Sequence, residues 1–261
     1  MTSQAAADAR PDVAARVEYV LRLGDTSLVL AQRLGEWVGH APALEEDLGL
    51  GNLALDFIGQ ARLLLGLAGR LEGAGRGEDD LAFLREGEQF RNFTLAEQPN
   101  GDFAHSMVRQ FFIDAYQVPL FEALSLSRDA DIAAIAAKSL KEAQYHHRFS
   151  SHWLLRLGDG TAESHARAQA AVDALVRFTP EMFDADAVDR ANLEAGIGAD
   201  PKALHAAWHA DVTALLTRAT LILPPATGGA PQGKRGNHSE HLGYLLAEMQ
   251  HLQRAYPGAK W

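Results

Sequence analysis

The sequence contains no cysteine among its 261 residues. Disulfide bonds, zinc sites with thiolate ligands and cysteine nucleophiles are therefore excluded together. Basic residues are also scarce relative to acidic ones, and the formal net charge is −10. A nucleic-acid-binding face, which usually carries a basic patch, is not expected on such a chain.

Long apolar runs are missing as well. No stretch of about 18 uninterrupted apolar residues occurs, so we expect no membrane span. The first residues, Met1–Asp8, lack a basic region followed by an apolar core, and we therefore expect no signal peptide. These absences favour a cytoplasmic location.

The strict alternation of apolar and polar residues that is typical of strands is also absent. Apolar residues instead recur every three to four positions, which predicts helices over 12–37, from Pro42 to a glycine-rich stop at 73–77, and over 79–93, 102–124, 130–157, 163–178, 201–216 and 237–256. Pro119 predicts a kink or an early end in the fourth of these helices. Asn237 and Glu240 together predict a capping box at the last one.

This pattern predicts an all-α fold. Four long helices within a core of about 12–158 can form an antiparallel bundle, and a helical extension of about 161–261 follows. We expect both parts to belong to one domain, 1–261.

His146 is the residue with the clearest chemical interest. Four-helix di-iron proteins hold their metals through a glutamate and a histidine at i and i+3, one such pair on each of two helices, with single carboxylates from the other two. One turn before His146, however, stands Ala143, which cannot ligate a metal. The sequence therefore indicates a metal site that has lost ligands.

Other polar residues fall at matching places, one group on each of the remaining long helices. Phe57 and Gln60 have the i, i+3 spacing on the second helix, where Asp56 and Gly59 are the alternative pair. Asp114 interrupts an apolar turn of the third, and Asp25 interrupts the first. Taken alone, each polar residue is more often a hydrogen-bonded core group or a solvated one than a metal ligand. Taken together, they outline a metal site with too few ligands.

Three further patterns invite a functional interpretation. His238, Glu240 and His241 resemble metal ligands, although capping explains Glu240 equally well. His205 and His209, at i and i+4, lack an obvious third ligand and are interpreted as a solvated face. Lys234 and Arg235 form a small basic patch, interpreted first as a solvated loop and second as a contact with a partner subunit or with CoA phosphates.

Specific sequence motifs also resemble a known family, the PaaC proteins, which are the metal-free structural subunits of phenylacetyl-CoA epoxidase. The resemblance extends from Tyr19 to Trp261 and rests on Leu23-Gly24-Asp25, 32–37, 39–42, 56–62, 97–101, Arg177-Phe178-Thr179, 238–243, 247–250 and 257–261. It implies a ferritin-like helical subunit that pairs with a homologous catalytic subunit, PaaA. It also implies further epoxidase subunits and a reductase in the complex.

The resemblance carries expectations about chemistry. The PaaA subunit would hold the di-iron site and form the ring epoxide of phenylacetyl-CoA with O2, using NADPH-derived electrons passed on by the reductase through FAD and an iron–sulfur cluster. Matching its motifs places Phe57 and Ala143 where glutamates would stand and Gln60 where a histidine would stand, with His146 retained. The second-helix register could be off by one, with Asp56 and Gly59 as the pair. In either register this chain is expected to have no metal, no cofactor and no catalytic residue of its own.

Two other functions remain as alternatives. The chain could be an independent metal-dependent oxidase with a reduced ligand set formed by His146, Asp114, Asp56 and Asp25, or a stand-alone helical binding protein. Metal content distinguishes the first alternative, and purification together with a di-iron subunit distinguishes the second.

Overall fold

The fold, described for residues 12–227 and 232–259 in a computed structural model, is built from α-helices. Ten are found in this part of the chain: α1 (Val13–Gly35), α2 (Leu44–Glu72), α3 (Glu78–Phe83), α4 (Phe103–Leu124), α5 (Ala130–Gly158), α6 (Ala162–Leu175), α7 (Ala187–Glu194), α8 (Pro201–Arg218), α9 (Glu240–Met249) and α10 (His251–Ala255). Three short 3₁₀ turns separate some of them. The described residues contain no strand, only an isolated bridge between Gln232 and Asn237.

Side-chain caps explain where several helices begin. The carboxylate of Asp102 accepts the amide hydrogen of His105 at 2.9 Å at the start of α4. Asp129 accepts from Asp131 at 3.0 Å at the start of α5, and Thr161 accepts from Ser164 at 3.1 Å at the start of α6. Each contact satisfies an amide that has no partner inside the helix. The starts of the long helices therefore lie close to the predicted ones.

The core is a ferritin-like bundle of α1, α2, α4 and α5, which confirms the predicted all-α class. α1 packs mainly along α2, and α4 packs mainly along α5. The two pairs meet over a fully buried aromatic and aliphatic interior that includes Phe57, Phe111 and Phe121. A bundle of this kind places one face of each long helix at a common centre.

The extension covers the outside of this bundle. α6 and α8 pack on α4, where the indole of Trp208 donates to the carbonyl of Phe112 at 2.8 Å. α7 packs on α1, and Arg22 joins the two helices through Asp186 at 2.7 Å and Asp189 at 3.3 Å.

Several predicted helix boundaries are wrong. The helix predicted over 79–93 ends at Phe83, because the chain after it is held by contacts of Arg85 and Arg91 instead of by helical bonds. α4 continues past Pro119 to Leu124, so the early end did not occur. The last long helix is split into α9 and α10, and the predicted capping box is absent because Ser239, not Asn237, is the N-cap and Glu240 is the first helical residue.

Candidate functional site

The candidate site lies where the four core helices meet. Six of the seven predicted positions are completely buried, namely Asp25, Phe57, Gln60, Asp114, Ala143 and His146. The seventh is Asp56, whose side chain remains 38% exposed. Between the two registers left open for α2, the buried pair is Phe57 and Gln60, while Asp56 and Gly59 stand at the edge.

Side chains join α2 directly to α5 where metals would otherwise join the helices. His146 Nε2 lies 3.0 Å from the Asp56 carboxylate. One turn away, the amide of Gln60 donates to Glu142 at 3.0 Å. These two contacts connect the same helices that carry the Glu-x-x-His pairs in a di-iron bundle. Both contacts are made directly between side chains of this chain, without a bound metal between them.

Apolar groups occupy the two positions at which the resemblance places glutamates, Phe57 and Ala143. The ring of Phe57 packs against the imidazole of His146, with centroids 4.7 Å apart and planes tilted by 45°. Ala143 contributes only a methyl group. An aromatic ring and a methyl fill space by packing and donate no electron pair to a metal, so these two positions provide no ligand.

Asp114 on α4 is the most unusual titratable group of the site. Its carboxylate accepts hydrogen bonds from Gln110 at 2.6 Å and from Ser150 of α5 at 2.7 Å. Burial raises its pKa to about 6, and the nearby histidines, His146 and His147, together with the hydrogen bonds from Ser150 and Gln110 offset only part of that effect. Asp114 therefore carries a proton through part of the acidic range.

Asp25 on α1 forms a buried ion pair with Arg85. Arg85 donates to both carboxylate oxygens, with one nitrogen–oxygen distance of 3.0 Å, and the amide of Arg91 donates at 2.8 Å. The ring of Phe90 lies 4.3 Å from the guanidinium carbon of Arg85. Sequence reasoning missed Arg85, although a buried aspartate in an apolar helix is itself a signal that a cation must lie nearby.

His147, the residue after His146, was also missed. Its Nε2 lies 2.6 Å from the carboxylate of Asp211 on α8. Burial alone would lower the pKa of His147, but the hydrogen bond and charge of Asp211 outweigh burial and raise it. The two consecutive histidines, about 100° apart around α5, thus contact different elements: His146 contacts α2 and His147 contacts the extension.

A di-iron centre does not fit these residues. Such a core needs two histidines and about four carboxylates. Here Asp25 is neutralised by Arg85, Phe57 and Ala143 provide no ligand atoms, and Asp56 lies at the edge. In the described ranges, no group of three or more histidine, aspartate or glutamate side chains is arranged to hold a metal ion.

The basic patch is not the solvated loop that we predicted. Lys234 is only 3% exposed. Its ammonium group contacts Asp189 at 2.9 Å and the carbonyl of Asp184. Arg235 pairs with Asp184 at 2.8 Å. Lys234 is therefore neutralised inside the chain, because a buried ammonium requires a partner. Arg235 is more exposed but also forms ion pairs, with Asp184 and with Asp186.

The metal-like histidines have structural explanations. Both ring nitrogens of His238 form hydrogen bonds. Nδ1 lies 2.8 Å from the carboxylate of buried Glu97, and Nε2 lies 3.0 Å from the carbonyl oxygen of Phe90. Burial alone would lower the pKa of His238, but the hydrogen bond and the charge of Glu97 raise it. This contact ties the segment before α9 to the core. His205 and His209 are exposed, as predicted.

The comparisons with known proteins agree with the motif resemblance. The model of a family described as phenylacetic acid catabolic protein (PaaA_PaaC) matches residues 1–261. The chain is also 56% identical over 243 residues to the C subunit of the 1,2-phenylacetyl-CoA epoxidase of Escherichia coli strain K12. That match covers 93% of this chain and 98% of the relative.

Proposed function

Because this chain belongs to the PaaA_PaaC family of phenylacetic acid catabolic proteins, we propose that it is the non-catalytic, structural subunit of a phenylacetyl-CoA epoxidase. The observation that carries this proposal is the 56% identity to the C subunit of such an enzyme over nearly the full length of both chains. At that identity and coverage, the same fold and the same place in the complex are expected.

The interior supports the non-catalytic part of the proposal. The bond between His146 and Asp56 and the bond between Gln60 and Glu142 connect α2 with α5 without a metal. Asp25 has its charge compensated by Arg85. Each of these residues has at least one hydrogen-bond or ion-pair partner, although within the described part of the chain His146 Nδ1 has none. The carboxylates among them therefore form no unpaired cluster that a cation would have to neutralise.

The cofactors then belong to other subunits. We propose that a homologous catalytic subunit, PaaA, holds the di-iron site, and that a reductase with FAD and an iron–sulfur cluster supplies its electrons, all in the cytoplasm. No part of that chemistry is assigned to residues of this chain. In the part of the chain that the structure describes, no helix is long and apolar enough to cross a membrane.

The role of the C-terminal segment is a narrower proposal. Tyr244, Leu252 and Tyr256 are 52–69% exposed, which leaves apolar surface available for a partner. We propose that residues 237–261 contribute to the interface with the partner subunit. The last two of them, Lys260 and Trp261, lie outside the described residues.

Co-expression with the catalytic subunit from the same operon tests the proposal. We expect the two chains to elute together in gel filtration, with iron in the complex and no stoichiometric iron in this chain purified alone after anaerobic reconstitution. About two iron atoms per isolated chain would instead favour the independent oxidase, and elution of two separate chains would favour a stand-alone binding protein.

A further inference from the structure

The C-terminal arm, defined here as α9 and α10 (residues 240–255), lies against the chain that follows α3. Three leucines are buried on its inner face: Leu242, Leu245 and Leu246. Toward its far end, the amide of Gln250 donates to the carbonyls of Ala82 and Arg85 at 3.1 and 3.0 Å. Its near end is attached through the residues that directly precede α9.

His238 makes this second attachment. It stands two residues before α9, and its side chain is 7% exposed. Nδ1 lies 2.8 Å from the Glu97 carboxylate, and Nε2 lies 3.0 Å from the carbonyl oxygen of Phe90. Both partners belong to the segment between α3 and α4, so the imidazole connects the start of the arm to the core.

Both groups that face the ring are hydrogen-bond acceptors. A carbonyl oxygen cannot donate, and neither can an ionised carboxylate. A neutral imidazole carries one N–H, so it can bond to Glu97 or to Phe90 but not to both, whereas the imidazolium can bond to both. If the proton resided on Glu97, the pair would still hold it. The two contacts together therefore require one proton more than a neutral histidine beside an ionised glutamate has.

The surroundings of Glu97 favour the charged ring. This carboxylate is completely buried, and its other partners are neutral donors, the side chain of Asn92 at 2.9 Å and the amide of Ser239 at 2.6 Å. In the described ranges, the only ion pair of Glu97 is with His238. A buried carboxylate is costly without a cation beside it, so the contact is strongest when His238 is charged.

The other charged groups around this contact do not reverse that preference. Each of the surrounding cations has a carboxylate partner of its own: Arg33 with Glu36, Arg85 with Asp25, Arg91 with Glu18 and Lys234 with Asp189. Among the acids, Glu181 is buried and its charge adds to that of Glu97 at the ring, whereas Glu240 is exposed. The ring therefore lies beside two buried acids and beside cations that are already paired.

We propose that His238 is a proton-dependent latch, whose charged ring holds the C-terminal arm against the core and whose loss of one proton loosens the arm. Without that proton, one ring nitrogen presents a lone pair to an acceptor, and one of the two contacts is lost. Burial opposes the charge, but Glu97 raises the pKa of His238 above 6.5. The attachment is therefore complete at low pH and weakens as pH rises through the raised pKa.

The absence of cysteine allows single introduced thiols to report opening of the arm. Leu246→Cys places a buried thiol on the inner face of α9, and Tyr244→Cys places an exposed one two residues away. The buried thiol can react with dithiodipyridine only after the arm opens, and the exposed thiol gives the unprotected rate at each pH. The ratio of the two rates is the protection of the arm. Val172→Cys, a buried thiol on α6, reports opening elsewhere.

In the isolated chain, the protection at Leu246→Cys should fall by about tenfold or more between about pH 6 and about pH 8.5, because a buried hydrogen bond to a charged group is lost. The protection at Val172→Cys should fall much less. In a His238→Gln background, the protection at Leu246→Cys should be equal at both pH values, since glutamine does not titrate. His251→Gln, at an exposed position of α10, is the matched control and should keep the wild-type pH dependence.

The titration of His238 itself gives a measurement in the wild-type chain. The carbon-bound ring protons of His238, assigned in NMR spectra by comparison with His238→Gln, should give a midpoint above 6.5. A midpoint at or below 6.5 would overturn the proposal, because the folded chain would then not favour the charged ring.

Three labelling results would overturn it as well. Equal protection at Leu246→Cys at both pH values would show that the arm does not respond to the proton. An equal loss at Leu246→Cys and Val172→Cys would show that pH acts on the whole fold. An unchanged pH dependence in the His238→Gln background would assign the effect to another group, such as His147, whose pKa is also raised.

Discussion

Replacing Asp114 with asparagine should stabilise the isolated protein at neutral pH, although the change removes a carboxylate that makes two hydrogen bonds. The carboxylate is fully buried, and burial raises its pKa from 3.8 to about 6. In the unfolded chain the group ionises above pH 3.8, whereas in the folded chain it keeps its proton up to about pH 6. Between these values the unfolded state binds fewer protons, so rising pH lowers the free energy of unfolding.

The magnitude follows from the same shift. A rise from 3.8 to about 6 corresponds to about 3 kcal/mol that the native state loses by pH 6, at about 1.4 kcal/mol for each pH unit. Asparagine is never charged and keeps the shape of the side chain. Its oxygen can accept from Gln110 and its amide can donate to the hydroxyl of Ser150, so both contacts survive. We expect a gain of about 1–3 kcal/mol above pH 6, vanishing below pH 3.8.

Urea unfolding followed by circular dichroism over this pH range measures the difference. Asp173→Asn, at an exposed helix position, serves as the control and should change stability by less than about 0.5 kcal/mol. If Asp114→Asn were less stable than the wild type above pH 6, by an amount that grew with pH, the reasoning would be refuted. Asp114 would then be an ionised group compensated by His146 or His147.

Two further predictions concern histidines. His146→Ala should lower the free energy of unfolding, measured by urea unfolding, by about 1–3 kcal/mol, because the contact with Asp56 is lost. Turnover per assembled complex should stay unchanged. A selective loss of turnover in a normally folded complex would show that His146 is more than structural. His238→Gln should cost most stability below pH 6.5, where the histidine of the wild type is charged beside Glu97, and progressively less as pH rises through the raised pKa of His238. Unfolding measured below and well above pH 6.5 checks this, and an equal cost at both would exclude a charged pair.

The sequence predicted the bundle because its signal is local. A spacing of three to four residues between apolar positions reports a helix with one buried face, and the long helices α1, α2, α4 and α5 all show it. α7 was not predicted, since Ala187–Glu194 is short and its place depends on distant contacts from Arg22 to Asp186 and Asp189. Pro119 was overestimated as a helix breaker, because tertiary packing of α4 holds the helix on both sides of it.

In the candidate site, too, the sequence placed individual residues but not the contacts between distant segments. Helical spacing was sufficient to place His146, Asp114 and Gln60 in the interior. It could not decide which carboxylate reaches His146, since Asp56 contacts it from the edge of the bundle while Phe57 occupies the inward position. Nor could it supply Arg85 as the partner of Asp25, because 60 residues separate them in the chain. Pairings between distant segments become visible only in three dimensions.

The two hydrogen bonds between α2 and α5 affect how the stability of this chain depends on iron supply. A bundle held together by bound metal gains stability that depends on the concentration of free metal relative to its dissociation constant. The bond from His146 to Asp56 and the bond from Gln60 to Glu142 are intramolecular, and their strength depends on no dissolved metal. These two contacts should therefore hold α2 against α5 equally well in iron-starved and iron-replete cells. In the proposed complex, this chain would then be folded before its partner acquired metal.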